Sequence, residues 1–248
     1  MLKVILNGAG GRMGLEVAKI LEDAGSGATL AAAVDKLDEN ARYRNLADYT
    51  GEADVIIDFS HHSATNELVS YAVAKRLPVV IAPTGHTDEE IALINEAAKS
   101  VPVFFTANLS LGIAVLVELA KKAAAMFPDA DIEIVETHHN RKADAPSGTA
   151  KMLASALCQV RPQSELVYGR CGMQKREKNE IGIHALRLGN NPGMHQVIVA
   201  TDNEVLTLQH QAQSRSVFAD GAVAAAKYLV TREAGLYNME TMLSDELN

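Results

Sequence analysis

The chain is predicted to be an α/β protein. It reads as a doubly wound, Rossmann-type parallel sheet domain plus a smaller α+β domain with a mixed or open sheet. Three observations predict this. Over the first hundred residues, short apolar runs alternate with segments of helical period. A glycine-rich turn joins the first run to the first helix, and beyond residue 181 strand-like runs follow one another without helices between them. Short continuous apolar strands separated by helices belong to a parallel sheet covered on both faces. The right-handed crossover then makes that sheet doubly wound. Strands in direct succession point instead to an antiparallel or mixed sheet.

The elements can be placed in order. Strands are expected at residues 4–6, 30–34, 55–59, 79–81 and 103–105, mostly β-branched or aliphatic. Helical periodicity marks residues 13–24 and 88–99. The second of these opens with Thr87-x-x-Glu90, a capping box that satisfies two otherwise orphaned amides. After residue 110 the rhythm changes to a long helix at 111–126, a strand at 131–137, a polar loop and a helix opening near Ser147. Strands are expected at 181–188, 195–200 and 204–211. A last helix at 218–228 fits either domain by its pattern alone.

Composition narrows the function. The 248 residues are 48% hydrophobic and 22% charged, with a formal net charge of −8. That balance is globular, and an acidic surface argues against general nucleic-acid or membrane-surface binding, which needs a basic footprint. It leaves room for a small anionic substrate, because screening confines exposed charges to about 8 Å. Cys158 and Cys171 form no metal or disulfide pattern, which fits two free thiols in a reducing cytoplasm. No run approaches the roughly 20 apolar residues of a membrane span, and the first residues lack a signal-peptide layout. A cytoplasmic protein is expected.

The first chemical signal is GAGGRMG at Gly8–Gly14, directly after a strand and opening a helix. Glycines there let the backbone approach a pyrophosphate whose charge meets the helix-start amides. Gly8, Ala9, Gly10, Gly11, Arg12 and Met13 are the candidates, although the spacing is GxxGxxG rather than GxGxxG. Asp35 ends the second strand, where a carboxylate accepts from ribose hydroxyls. Lys36 follows it and suits the extra phosphate of NADP, so the pair is ambivalent between NADH and NADPH. Ala82, Pro83 and Thr84 end the fourth strand, and Thr106, Ala107, Asn108 and Leu109 end the fifth. Those strand ends are where the nicotinamide half is expected.

The densest signal is ETHHNRKADAPSGT, Glu136 to Thr149. His138, His139, Arg141 and Lys142 place cationic and proton-active groups within five residues that no hydrophobic pattern explains. Adjacent histidines without a cysteine or third histidine make a poor zinc site, so no metal is expected. In an extended segment His138 and His139 face opposite sides and take separate duties. Ser147 is a natural N-cap, and Gly148 and Thr149 in the first turn form a seat for a carboxylate.

These residues resemble the 4-hydroxy-tetrahydrodipicolinate reductase (dihydrodipicolinate reductase) family. The resemblance covers almost the whole chain: GAGGRMG, IDFS at Ile57–Ser60, TANLS at Thr106–Ser110, ETHHNRKADAPSGTA at Glu136–Ala150, IGIHALRLG at Ile181–Gly189 and HQAQSRSVFADGA at His210–Ala222. It implies reduction of a small cyclic dicarboxylate with NADH or NADPH in the diaminopimelate route to lysine. It implies His138 as acid–base residue, Lys142 as proton donor, His139 as a substrate ligand, and Gly148 with Thr149 on a substrate carboxylate. It further implies a homotetramer, with residues 1–110 and 216–248 as the dinucleotide domain and 111–215 as the substrate and oligomerisation domain. Three segments depart from the family pattern: Ala82-Pro83 where GTTG is usual, Leu109 for a common aromatic, and Met194 for the acid of a GEH segment. The rivals are a dehydrogenase of the same architecture acting on another substrate, such as aspartate, and a dinucleotide-sensing module without turnover.

Overall fold

The computed structural model describes residues 1–39 and 41–247; residue 248, the expected end of the dinucleotide domain, lies outside them. In chain order the elements are β1 (Leu2–Asn7), α1 (Arg12–Glu22), β2 (Ala28–Val34), β3 (Val55–Asp58), α2 (Thr65–Lys75), β4 (Val79–Ile81), α3 (Asp88–Ala97) and β5 (Pro102–Phe105). There follow α4 (Leu111–Met126), β6 (Asp131–His138), α5 (Gly148–Val160), β7 (Glu165–Tyr168), β8 (Glu180–Arg187), β9 (Met194–Ala200) and β10 (Val205–Gln211). The last elements are α6 (Ser216–Leu229), β11 (Gly235–Tyr237) and α7 (Met239–Leu247). They fall into two compact units, one of Met1–Leu111 with the segment from Arg215 onward, the other of Gly112–Ser214.

The first unit holds a six-stranded, wholly parallel sheet in the order β11-β5-β4-β3-β1-β2. Both faces are covered, which is why β1, β3 and β4 are apolar runs without alternation. Leu68, Val69 and Ala72 of α2 and Ile94 and Ala97 of α3 pack with Ile5, Ile56, Val79, Ile81 and Val103 of the strands. On the other face α6 lies against α1 and along β3, β4 and β5. The capping box of α3 forms as expected: Glu90 N–H donates to the Thr87 hydroxyl, and Thr87 N–H to the Glu90 carboxylate. The strand order turns outward at β1 and β3, so the glycine turn opens at the point where ligands bind in such sheets.

The second unit is built on a mixed sheet in the order β10-β9-β6-β8-β7. The β9 strand is antiparallel to both β10 and β6, while β6, β8 and β7 run parallel. Leu116 and Ala120 of α4 and Leu153 and Leu157 of α5 cover one face through Ile132, Ile134, Ile183, Val197 and Val199. The β6 strand extends one residue past its expected end. His138 is therefore its last strand residue rather than part of the polar loop, held in the ladder by Leu188 N–H donating to its carbonyl. Among the described residues no helix is long and apolar enough to cross a membrane.

Candidate active site

In the first unit the turn after β1 packs closely against the backbone that follows β3. Gly8 has φ of +78°, and a Cβ there would stand 2.6 Å from the carbonyl carbon of Phe59. Only glycine fits both constraints. Gly11 N–H donates to the Gly8 carbonyl, while the amides of Gly8 and Ala9 reach Val34 O. Gly10 N–H donates to the Asp35 carboxylate at 2.9 Å, which also accepts from the amides of Leu37 and Asp38. The turn's amides are thus largely engaged in shaping it. Those of Arg12 and Met13, in the first turn of α1, have no intrahelical acceptor and suit an anion.

A cavity of about 410 Å³ opens beside this turn, lined among others by Gly8, Gly11, Asp35, Lys36, Arg44 and His61. Asp35 and Lys36 are together there, as the sequence suggests. Lys36 is 71% exposed and pairs with Glu67 at 3.6 Å. Beneath the turn, Asn7 donates to the buried carboxylate of Asp58 at 2.8 Å. Burial pushes the Asp58 carboxyl up to about 6, against the lowering bonds from Ser60 and Asn7. At the ends of β4 and β5, Ala82, Pro83, Thr84, Thr106, Ala107 and Asn108 are partly or fully exposed. Leu109 differs: its side chain is buried at 4% exposure and its carbonyl lies where a Cβ on Gly221 would sit. Leucine at this position serves the core of its unit.

The second unit gathers its chemistry at the carboxyl end of β6. Ile132, Ile134, Glu136 and His138 point to one face by the period of two, and the first two are core residues under α4 and α5. Past those helices the same row carries a carboxylate and an imidazole. Glu136 is fully buried, 0% exposed, and is ringed by donors. His138 Nδ1 lies 2.5 Å from it, Arg187 donates from both terminal nitrogens at 2.8 Å, and Ser147 N–H donates at 3.0 Å. Burial raises the Glu136 carboxyl, but the bonds from Arg187, His138 and Ser147 outweigh it and hold it below the usual range.

Register explains the gathering. His138 sits opposite Arg187 on β8, and Glu136 opposite His195 on β9. The His138 and His195 rings meet edge to face at 5.1 Å. Burial, with the neighbouring His138, lowers His195 to about 4. The Ser147 hydroxyl is 3.1 Å from His195 Nε2 and accepts from Ala150 N–H, so it caps α5 as expected. Gly148 and Thr149 form the first turn, and a Cβ on Gly148 would meet nothing within 4 Å. The loop between carries Lys142, paired to Asp144 at 2.8 Å. His139 N–H donates to Asn191 O, and Arg141 reaches Asn190.

The structure therefore places His138, Lys142, His139, Gly148 and Thr149 in one unit, where His138, Arg187 and the Ser147 amide meet a carboxylate, Glu136, that motif reading left without a role. Glu136, Arg187 and His195 are the residues missed. Glu136 carried a signal, since it continues the inward row of Ile132 and Ile134. Arg187 and His195 join it only through strand pairing. Among the described residues no group of three or more His, Cys, Asp or Glu is arranged to hold a metal ion.

Comparison with known proteins covers both units. A family model described as dihydrodipicolinate reductase, N-terminus, matches residues 2–109, and its C-terminus counterpart matches residues 112–243. A protein of Caldanaerobacter subterraneus subsp. tengcongensis named 4-hydroxy-tetrahydrodipicolinate reductase is 49% identical over 249 residues, 98% of each chain. One of the same name from Clostridium novyi is 41% identical, over 99% of this chain and 100% of the relative. A solved dipicolinate-bound dihydrodipicolinate reductase from Paenisporosarcina sp. TG-14 aligns with a TM-score of 0.80 at 24% identity, over 98% of this chain and 99% of that one. At that identity the structural likeness speaks to the fold.

Proposed function

The chain belongs to the dihydrodipicolinate reductase family, and from that premise we propose how its residues divide the work. The protein is an oxidoreductase that reduces 4-hydroxy-tetrahydrodipicolinate to tetrahydrodipicolinate in the diaminopimelate route to lysine. The observation that carries the mechanistic reading is the cluster at the end of β6. An imidazole, an ammonium-bearing loop and a helix start lie around one buried carboxylate.

The dinucleotide fits the first unit because the Arg12 and Met13 amides at the start of α1 have no intrahelical acceptor, and Asp35 lines the cavity that opens beside that turn. In this reading the turn from Gly8 to Met13 receives the pyrophosphate, and Asp35 the adenosine ribose. The strand-end residues 82–84 and 106–108 face the nicotinamide. When bound, the reduced nicotinamide supplies a hydride to C4 of the substrate ring, with overall loss of the 4-hydroxyl as water.

The second unit holds the ring. The α5 start, through Gly148 and Thr149, seats one carboxylate with oriented amides and a hydroxyl. His139 and the cationic loop receive the other. Reduction leaves an electron-rich enamine that must be protonated. Lys142 donates that proton as general acid, and His138 serves as acid–base partner at Nε2. We further propose a cytoplasmic homotetramer, with 1–110 and 216–248 as dinucleotide domain and 111–215 for substrate and assembly.

The direct test is oxidation of NADH by the protein with substrate made fresh from pyruvate and aspartate semialdehyde. Turnover is expected. Its absence, with turnover of aspartate instead, would move the chain to a different dehydrogenase chemistry.

A further inference from the structure

Three donors from three parts of the fold converge on one side chain. Glu136 Oε2 faces His138 Nδ1 at 2.5 Å and Arg187 Nη1 at 2.8 Å; Oε1 accepts from Arg187 Nη2 at 2.8 Å and from Ser147 N–H at 3.0 Å. A carboxylate offers about four acceptor sites, and all are engaged. Arg187 also donates to the Asp144 carbonyl at 2.6 Å, which ties in the loop that carries Lys142. One ion pair thus touches the imidazole, the first amide ahead of α5 and the lysine loop.

We infer that Glu136 is the positioning residue of this site, fixing the working nitrogen of His138 and the carboxylate seat of α5 with the same two oxygens. The inference rests on the proposed role of His138 and adds a residue that acts through it. An ionised carboxylate only accepts, so Nδ1 of His138 must carry hydrogen. Nε2 is then the nitrogen left for proton exchange. Gly193 stands beside it: its φ is +152°, and a Cβ there would lie 3.1 Å from Nε2. The absent side chain keeps that nitrogen uncovered. A buried ion pair adds little net stability against an apolar replacement, whereas breaking it by removing one partner is costly. Placement of function accounts for an ion pair that stability alone does not.

The test compares Glu136→Gln, His138→Gln and their combination, with nitrogen-15 spectra of His138 at a pH where its ring is neutral. The wild-type ring is expected wholly as the Nδ1–H tautomer. The amide of Gln can donate as well as accept, so Glu136→Gln should yield mixed tautomers. Single-turnover hydride transfer should then fall by about 10²-fold, with about 10⁴ as the limit known for a mis-set catalytic histidine. Dipicolinate affinity should weaken while NADH affinity holds, and the double variant should be no slower than His138→Gln alone. If Glu136→Gln is too unstable, Glu136→Gln with Arg187→Met removes both charges and should show the same loss. A wild-type Nε2–H tautomer, or full rate with an unchanged tautomer in Glu136→Gln, overturns the inference. Full rate in His138→Gln sinks instead the acid–base reading on which it rests, while the spectra still decide what Glu136 positions.

Discussion

The ammonium of Lys142 stands 2.8 Å from the carboxylate of Asp144. The proposed proton donor therefore already has a partner before any dicarboxylate arrives. Lys142 first, by its hydrogen bond and then its charge, holds the Asp144 carboxyl below its usual range. Asp144 is exposed, and such pairs contribute at most about 1 kcal/mol. Asp144→Asn leaves the loop one charge more positive, so dipicolinate should bind up to about fivefold more tightly, by that same energy. Isothermal titration checks this, and weaker binding in the variant would show that Asp144 orients Lys142 rather than competing with the ligand for it.

The α5 start gives a pair of opposite probes. A methyl at position 148 meets nothing within 4 Å, so Gly148→Ala should fold normally and obstruct only what sits above the helix start. Thr149→Val keeps the shape and removes the hydroxyl. Inhibition by dipicolinate should weaken by about 1–3 kcal/mol in Thr149→Val, the range for an unmade bond to a charged group. Equal inhibition in both variants and the wild type would place the carboxylate elsewhere.

In the proposed site, cofactor choice would follow from two neighbouring side chains of opposite sign. Asp35 would repel an adenosine phosphate, and Lys36, paired with Glu67 at 3.6 Å, would attract it. Each such interaction is worth about 1 kcal/mol, roughly a decade or less. Both NADH and NADPH should be used, with NADH no worse than about tenfold. Glu67→Gln should shift the ratio toward NADPH by a few-fold, about 1 kcal/mol at most. Steady-state constants for both cofactors decide it; a thousandfold preference for NADPH would contradict this reading.

Two buried groups give opposite pH signatures. Asp58 has its folded pKa raised from 3.8 to about 6, so its contribution is present below 3.8 and lost as pH rises through 6. His195 is lowered from 6.5 to about 4, so its contribution is present above 6.5 and lost as pH falls through 4. Each amounts to about 3 kcal/mol. Asp58→Asn should therefore gain stability relative to wild type as pH rises from about 4 to 6, and His195→Gln as pH falls over a similar window. Thermal melts across that range measure both differences, and parallel curves for either variant would show that its group does not titrate this way.

Local patterns carried much of this structure. The strands β1 to β5 were legible because runs such as Val55–Asp58 are buried on both faces, and the Thr87–Glu90 and Ser147 caps because capping is a matter of neighbouring residues. The strands β7 and β11 were not. Glu165–Tyr168 and Gly235–Tyr237 are short, half-exposed edge strands whose place comes from pairing with β8 and β5. The motif singled out His138, Lys142 and Thr149 as candidates, yet it hid that His138 ends a strand and is only 8% exposed. Arg187 and His195 reach the site from 51 and 48 residues away, through Glu136 and Ser147, and no local spacing announces such meetings.

The central claim is that proton chemistry belongs to the β6 cluster and dinucleotide binding to the glycine turn of the other unit. Lys142→Met separates the two most directly, since it keeps the apolar stem but carries no proton. Lys142 lies in a loop away from the apolar core of its unit, so the variant should fold and melt like the wild type. Stopped-flow single turnovers with the variant saturated in NADH should show reduction slowed by about 10²–10⁴, with NADH affinity unchanged. Full chemical rate in Lys142→Met would refute its role as the acid, and a parallel collapse of NADH affinity would contradict the division of labour itself.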